Sequence, residues 1–145
     1  MAFAIAVENP KYSVNIGTLC RSAFNFGAAA IFTVGRRYRP QSSDTIKTWR
    51  HLPLLHFETW DDYRLHAPYD WRPIVLEMVP EATLLPAFVH PDHCVYVLGP
   101  EDGSVSWEVR NSAAAIVNIP SQFCLNVSVA AAVVMYDRIA KRGGP

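Results

Sequence analysis

Ile119-Pro120-Ser121-Gln122-Phe123-Cys124-Leu125-Asn126-Val127-Ser128-Val129-Ala130-Ala131-Ala132 is the stretch on which the reading turns. A proline stops an apolar run, a short polar loop follows, and a small-residue helix starts at Asn126 and Ser128. A helix start carries unpaired N–H groups and the positive end of the dipole, which makes it a natural ligand site. Leu125, Val129, Ala132, Val133, Tyr136 and Ala140 recur at helical spacing. They predict the buried face of a long terminal helix.

Working outward, the upstream chain alternates between strand and helix patterns. Residues 3–7 read as a buried strand. Ile16, Leu19, Cys20, Ala23 and Phe24 then form a helical stripe, with Ser13 or Asn15 as its cap and Gly27 as its end. Residues 30–34, 55–57, 73–78, 94–98 and 114–119 are further strand candidates. Short helices are expected at 45–50, 59–66 and 106–110. Such alternation predicts one α/β domain over 1–145 with a mostly parallel sheet flanked by helices. Ligands on these sheets bind beyond the carboxyl ends of the strands. Three chemically loaded loops fall there: 15–21, 98–104 and the opening stretch.

Composition sets the limits. The chain has 145 residues, half of them hydrophobic, and carries no net charge. That is enough apolar content for a real core and too much for a disordered tail. No apolar run is long enough to span a membrane, and the N-terminus lacks the basic region of a signal peptide. A cytoplasmic protein with no membrane partner is expected. Cys20, Cys94 and Cys124 lack metal-type spacing, and no His-x-x-x-His pair occurs, so no metal site is expected. Cys20 and Cys124 read as small apolar residues. Arg36, Arg37, Arg39, Lys47 and Arg50 form a basic segment whose only acid is Asp44. It is either a solvated loop or a phosphate-binding surface.

No glycine-rich dinucleotide loop, Walker A sequence or serine-hydrolase elbow is present. Instead, the three loops together resemble the SpoU, or TrmH-like, branch of the SPOUT RNA methyltransferases. Asn15, Gly17 and Arg21 match the first family motif. Val97-Leu98-Gly99-Pro100-Glu101 matches the second. Ile119, Pro120, Leu125, Asn126, Ser128, Ala130 and Ala132 match the third. The resemblance covers essentially the whole chain in order. It departs at one point: many relatives place a glycine three residues after the motif-two glutamate, whereas Gly103 lies two after Glu101.

The resemblance implies a deep C-terminal trefoil knot, S-adenosylmethionine (AdoMet) as cofactor, a homodimer, and methyl transfer to a ribose 2′-hydroxyl of tRNA or rRNA. It also implies the minimal, TrmL-like form without an added RNA-binding domain. The rival readings are a catalytically silent RNA- or AdoMet-binding module on the same fold and an unrelated nucleotide-binding protein. Under the resemblance the catalytic set is Arg21, Asn15, Glu101, Asn126 and Ser128. Leu76, Glu77, Met78, Leu98, Gly99, Ile119, Leu125 and Asn126 would hold AdoMet. Arg36, Arg37, Arg39, Lys47 and Arg50 would meet RNA phosphates.

The family often assigns Arg21 the role of base, yet a guanidinium is effectively always protonated. A clamp on phosphate or ribose suits it better. Asn15 can instead cap its helix, Asn126 and Ser128 can cap theirs, and Gly99 can be a turn glycine. Glu101 orients its loop or Arg21, or is a free surface carboxylate. Trp49 can stack on a base or pack at an interface, and His51 can pack or touch RNA.

Overall fold

A computed structural model describes residues 1–39 and 42–144. Pro40 and Gln41, in the expected basic loop, and Pro145 lie outside the described residues. In chain order the elements are β1 (Ala2–Glu8), α1 (Ser13–Asn25), β2 (Ala30–Val34), a 3-10 turn (Thr48–Arg50), β3 (Leu54–Phe57) and α2 (Trp60–His66). Then come β4 (Arg72–Leu76), β5 (Thr83–Leu84), a second 3-10 turn (Leu85–Ala87), β6 (His93–Leu98), α3 (Trp107–Ser112), β7 (Ala115–Asn118) and α4 (Val127–Arg142).

The strands form one seven-stranded sheet in the order β3-β2-β1-β6-β4-β7-β5, and every recorded pairing is parallel. Successive side chains alternate between its faces. Phe3, Ile5, Val7, Ile74, Leu76, Cys94, Tyr96 and Leu98 point to the side that carries α1 and α4. Ala4, Ala6, Val75, Val95 and Val97 point to the side where Trp60, Tyr63 and Val109 of α2 and α3 pack. Burial on both faces is what turns these strands into continuous apolar runs.

Several expectations need correction. Around 45–50 there is no helix, only the Thr48–Arg50 turn. Lys47 adopts a left-handed φ of 52°, which stops any helix that would begin upstream. Neither Ser13 nor Asn15 caps α1; its N-cap is Tyr12, with no side-chain cap bond. Gly27 does end the helix, with φ 74°. The expected strand 73–78 runs instead over Arg72–Leu76; Glu77 N still donates to Val117 O of β7 at 3.1 Å, and the Glu77 carboxylate accepts from Val105 N at 2.9 Å. β5 was not foreseen; two residues carry no periodicity.

The terminal helix is rotated from its expected facing. Val127, Ala131, Val134, Met135 and Arg138 are buried, while Val129 and Tyr136 of the expected stripe are 48% and 63% exposed. Leu125 precedes the helix. A buried arginine explains the rotation. Arg138 donates to Pro91 O (2.7 Å), Asp92 O (2.8 Å) and Tyr96 Oη (3.2 Å) and lies over the Phe3 ring. Hydrogen bonds to a charged group are worth about 1.5–3 kcal/mol each, and this facing lets the buried guanidinium make them. The same facing still buries Val127, Ala131, Val134 and Met135, so it gives up little apolar burial.

Candidate active site

The carboxyl ends of β4, β6 and β7 open into one cleft. Counted out into the solvent at its open mouth, it measures about 690 Å³. Leu76, Leu98, Ile119 and Leu125 give it apolar walls, and Glu77, Met78, Gly99, Pro100, Glu101, Ser121 and Cys124 complete much of the rim. Among the described residues no Lys, Arg or His lines it, and two carboxylates do. Seven of the eight residues expected to hold cofactor therefore stand together. Asn126, the eighth, faces the polar neighbourhood of the cleft instead. Cys124, expected as a packed apolar residue, is exposed at this rim; Cys20 is buried as expected.

Glycine is required where the cleft turns. A Cβ on Gly99 would fall 2.8 Å from Val105 N and 3.0 Å from Ser104 C. The close approach is therefore the loop's own backbone folding back. Two carboxylates grip the far end of that loop: Glu77 accepts from Val105 N, and buried Glu8, at the end of β1, accepts from Ser106 N at 2.7 Å.

The near end is held by the first loop. Glu101 accepts from Lys11 N (2.9 Å), Tyr12 N (3.3 Å) and Asn15 Nδ2 (2.9 Å). Lys11 Nζ also pairs with Asp102. Burial alone would raise the Glu101 pKa, but the Asn15 side chain and the two amides overcome it and hold the carboxyl below its ordinary value. Lys11 had no signal in the sequence, because a lysine in a loop is the commonest surface residue there is.

Asn15 passes the connection on. Its Oδ1 accepts from Asn126 Nδ2 at 3.0 Å. Asn126 Oδ1 in turn accepts from Ser128 N (2.9 Å) and Ser128 Oγ (2.7 Å), which makes it the N-cap of α4. One continuous relay, Glu101–Asn15–Asn126–Ser128, joins all three loops. Its direction is fixed, because an ionised carboxylate only accepts. Asn15 must turn its amide nitrogen to Glu101, so its oxygen faces Asn126, and so on to Ser128.

Arg21 stands apart from the relay. It is exposed on α1, and among the described residues its guanidinium has no hydrogen bond or ion pair. The basic segment divides into two groups. Arg37 pairs with Glu58 at 3.5 Å, and Arg36 lies close enough to Asp102 to lower its pKa, after the larger effect of Lys11. Lys47 and Arg50 are exposed on the turn that follows Asp44. Arg39 is exposed on the loop between the two groups. No group of three or more metal-ligating side chains occurs among the described residues.

Comparison with known proteins bears on the same three loops. The profile of the SpoU rRNA Methylase family matches residues 2–136. An AdoMet-bound rRNA methyltransferase from Sinorhizobium meliloti is 19% identical with a TM-score of 0.86, over 97% of this chain and 56% of that one. A protein described through 2-OH methylation of C/U34 on tRNA is 19% identical with a TM-score of 0.86, over 99% and 98%. The A. aeolicus TrmH/SpoU tRNA modifying enzyme is 18% identical with a TM-score of 0.85, over 97% and 77%. The chain spans 56% of the length of the S. meliloti protein and 60% of AviRb from Streptomyces viridochromogenes. No curated protein is a significant match. At these identities the solved structures speak for the fold, whereas the profile, which takes in the Asn15, Glu101 and Asn126 loops, speaks for descent: the chain belongs to the SpoU rRNA methylase family.

Proposed function

We propose that the chain is an AdoMet-dependent methyltransferase acting on a ribose 2′-hydroxyl of tRNA or rRNA. The observation that carries this is the relay joining Glu101, Asn15, Asn126 and Ser128 beside the apolar cleft. The cleft suits AdoMet in lining and in charge: it has apolar walls for adenine, two carboxylates and, among the described residues, no cation to oppose a sulfonium. Leu76, Leu98, Ile119 and Leu125 would enclose the adenosine, with Gly99 allowing the loop to fold close. When bound, AdoMet supplies the electrophilic methyl group.

The remaining work falls to the protein's own groups. Glu101, with its lowered pKa and three donors, is too well satisfied to serve as a base. It is a positioning residue that sets the amide directions of Asn15 and Asn126. Arg21, exposed and unpaired, acts as the clamp that orients the ribose and phosphate. Glu77 and Met78, the 99–103 turn and the loop from Ile119 to Leu125 converge on this one cleft, as the loops of the trefoil knot implied by the family resemblance would. The uncovered apolar residues Val129 and Tyr136 of α4, with Val14 of α1, support a homodimer formed through that face.

The direct test is transfer of radiolabelled methyl from AdoMet into tRNA and into rRNA, with Arg21→Ala as control. tRNA comes first, because one protein that this chain matches nearly end to end is described by tRNA methylation. Label in the ribose of wild-type product, lost in Arg21→Ala, is the expected result. AdoMet binding with no label in either RNA would identify a silent binding module instead. Near-normal turnover of Arg21→Lys would refute the bidentate clamp, since lysine keeps the charge but not the fork.

A further inference from the structure

Beyond the cleft, the 44–51 segment has the features of a second, separate contact for RNA. Its scaffold is rigid. The buried Asp44 carboxylate accepts from Thr48 N at 2.8 and 3.0 Å and from Thr48 Oγ1 at 2.6 Å. Ser43 Oγ donates to Val14 O of α1 at 2.9 Å. A Cβ on Gly17 would fall 2.1 Å from Ser43 Oγ and 3.0 Å from Asp44 N. The motif-one glycine is therefore what lets this segment lie against the helix that carries Arg21. Downstream, His51 packs on Phe24, three residues beyond Arg21, with ring centroids 5.2 Å apart.

On that scaffold Trp49 is 49% exposed, and the Arg50 guanidinium lies over its ring at 4.9 Å. Among the described residues Lys47 and Arg50 form no ion pair, whereas Arg37 is held by Glu58. Two cations of the basic segment thus stand without an acid at its aromatic end. A half-exposed flat ring with an arginine over it, on a segment held to α1 and carrying a second exposed cation at Lys47, matches the chemistry of an unpaired base with a flanking phosphate.

We propose that Trp49 and Arg50 form a stacking platform for an unpaired nucleobase of the RNA substrate, with Lys47 meeting an adjacent phosphate. This rests on the RNA-methylase reading above and names the part of the surface that engages RNA away from the reacting ribose.

The test is binding of a labelled oligouridine and of bulk tRNA to the full chain, in wild type, Trp49→Ala, Trp49→Phe and Trp107→Ala. Trp107 is an exposed tryptophan on α3, outside both the platform and the cleft. Trp49→Ala should weaken RNA binding by about tenfold or more, Trp49→Phe by less, and Trp107→Ala not at all. AdoMet affinity should be unchanged throughout. Photo-cross-linking with 5-iodouridine should give adducts within residues 47–51. Unchanged RNA affinity in Trp49→Ala would overturn the platform. So would a change of sedimentation from dimer to monomer in Trp49→Ala, because the patch would then belong to a second copy. Failure of the wild type to bind any RNA would instead remove the RNA reading on which the platform depends.

Discussion

Replacing Glu101 by glutamine alters almost no shape, yet it should disable the relay. The carboxylate faces only donors: Asn15 Nδ2 and the amides of Lys11 and Tyr12. A glutamine offers one oxygen and one NH₂. If its oxygen keeps Asn15 and Tyr12, its NH₂ meets the Lys11 N–H. If it turns round, its NH₂ meets that of Asn15. Asn15 can then flip only by pointing its NH₂ at Asn126 Nδ2, and Asn126 only by pointing its own at Ser128 N. Every arrangement leaves one donor against another, at about 1–3 kcal/mol. Carried into the reaction, that is about a 5- to 150-fold loss of rate. Single-turnover methyl transfer to tRNA measures the rate, calorimetry the AdoMet affinity, and thermal unfolding the fold. The same energy spread over the whole fold corresponds to about 3–10 °C in Tm. A Glu101→Gln protein with a rate within about threefold of wild type would refute the idea that the carboxylate's acceptor-only character directs the site.

Gly99→Ala should lower Tm and cost about 1–3 kcal/mol, measured by denaturant unfolding, because its Cβ meets the backbone at Val105. Gly103→Ala, whose nearest neighbour is Pro100 Cγ at 3.3 Å, should be far milder. Stability should also depend on His90. It is buried, donates to Asp137 at 2.8 Å and accepts from Tyr96 Oη. Burial lowers its pKa; Asp137 opposes this, and Lys141 and Arg138 reinforce it. The folded state therefore prefers neutral His90, and its contribution is complete above the unfolded pKa of about 6.5 and is lost as pH falls below it. Urea midpoints between about pH 5 and 7.5 should show this slope, and His90→Gln should flatten it. Asn126→Ala removes the α4 cap as well as the relay, so it should cost about 1 kcal/mol of stability in addition to its effect on turnover.

The sheet was legible because its strands are buried on both faces and punctuated by turns; β1, β2 and β6 stand within a residue or two of where their apolar runs place them. The cleft was legible through the motif resemblance, since Leu76, Leu98, Ile119 and Leu125 converge only in three dimensions. Less visible was the facing of α4. Counting apolar residues favoured Val129 and Tyr136, and nothing local revealed that Arg138 would be drawn inward by Pro91 and Asp92 carbonyls. Asn15 read as a cap for the same reason. Its true partners, Glu101 and Asn126, are 86 and 111 residues away in sequence.

That separation has a consequence in time. During synthesis the chain emerges N-terminus first. Asn15 exists early, Glu101 much later, and Asn126 only as the last helix begins. The relay closes only after every strand has been made, and long-range contacts of this kind form slowly. A nascent chain can thus hold most of the sheet while its amides at Asn15 still lack a direction. Competence for the reaction arrives with the docking of α4 and would report that folding is complete.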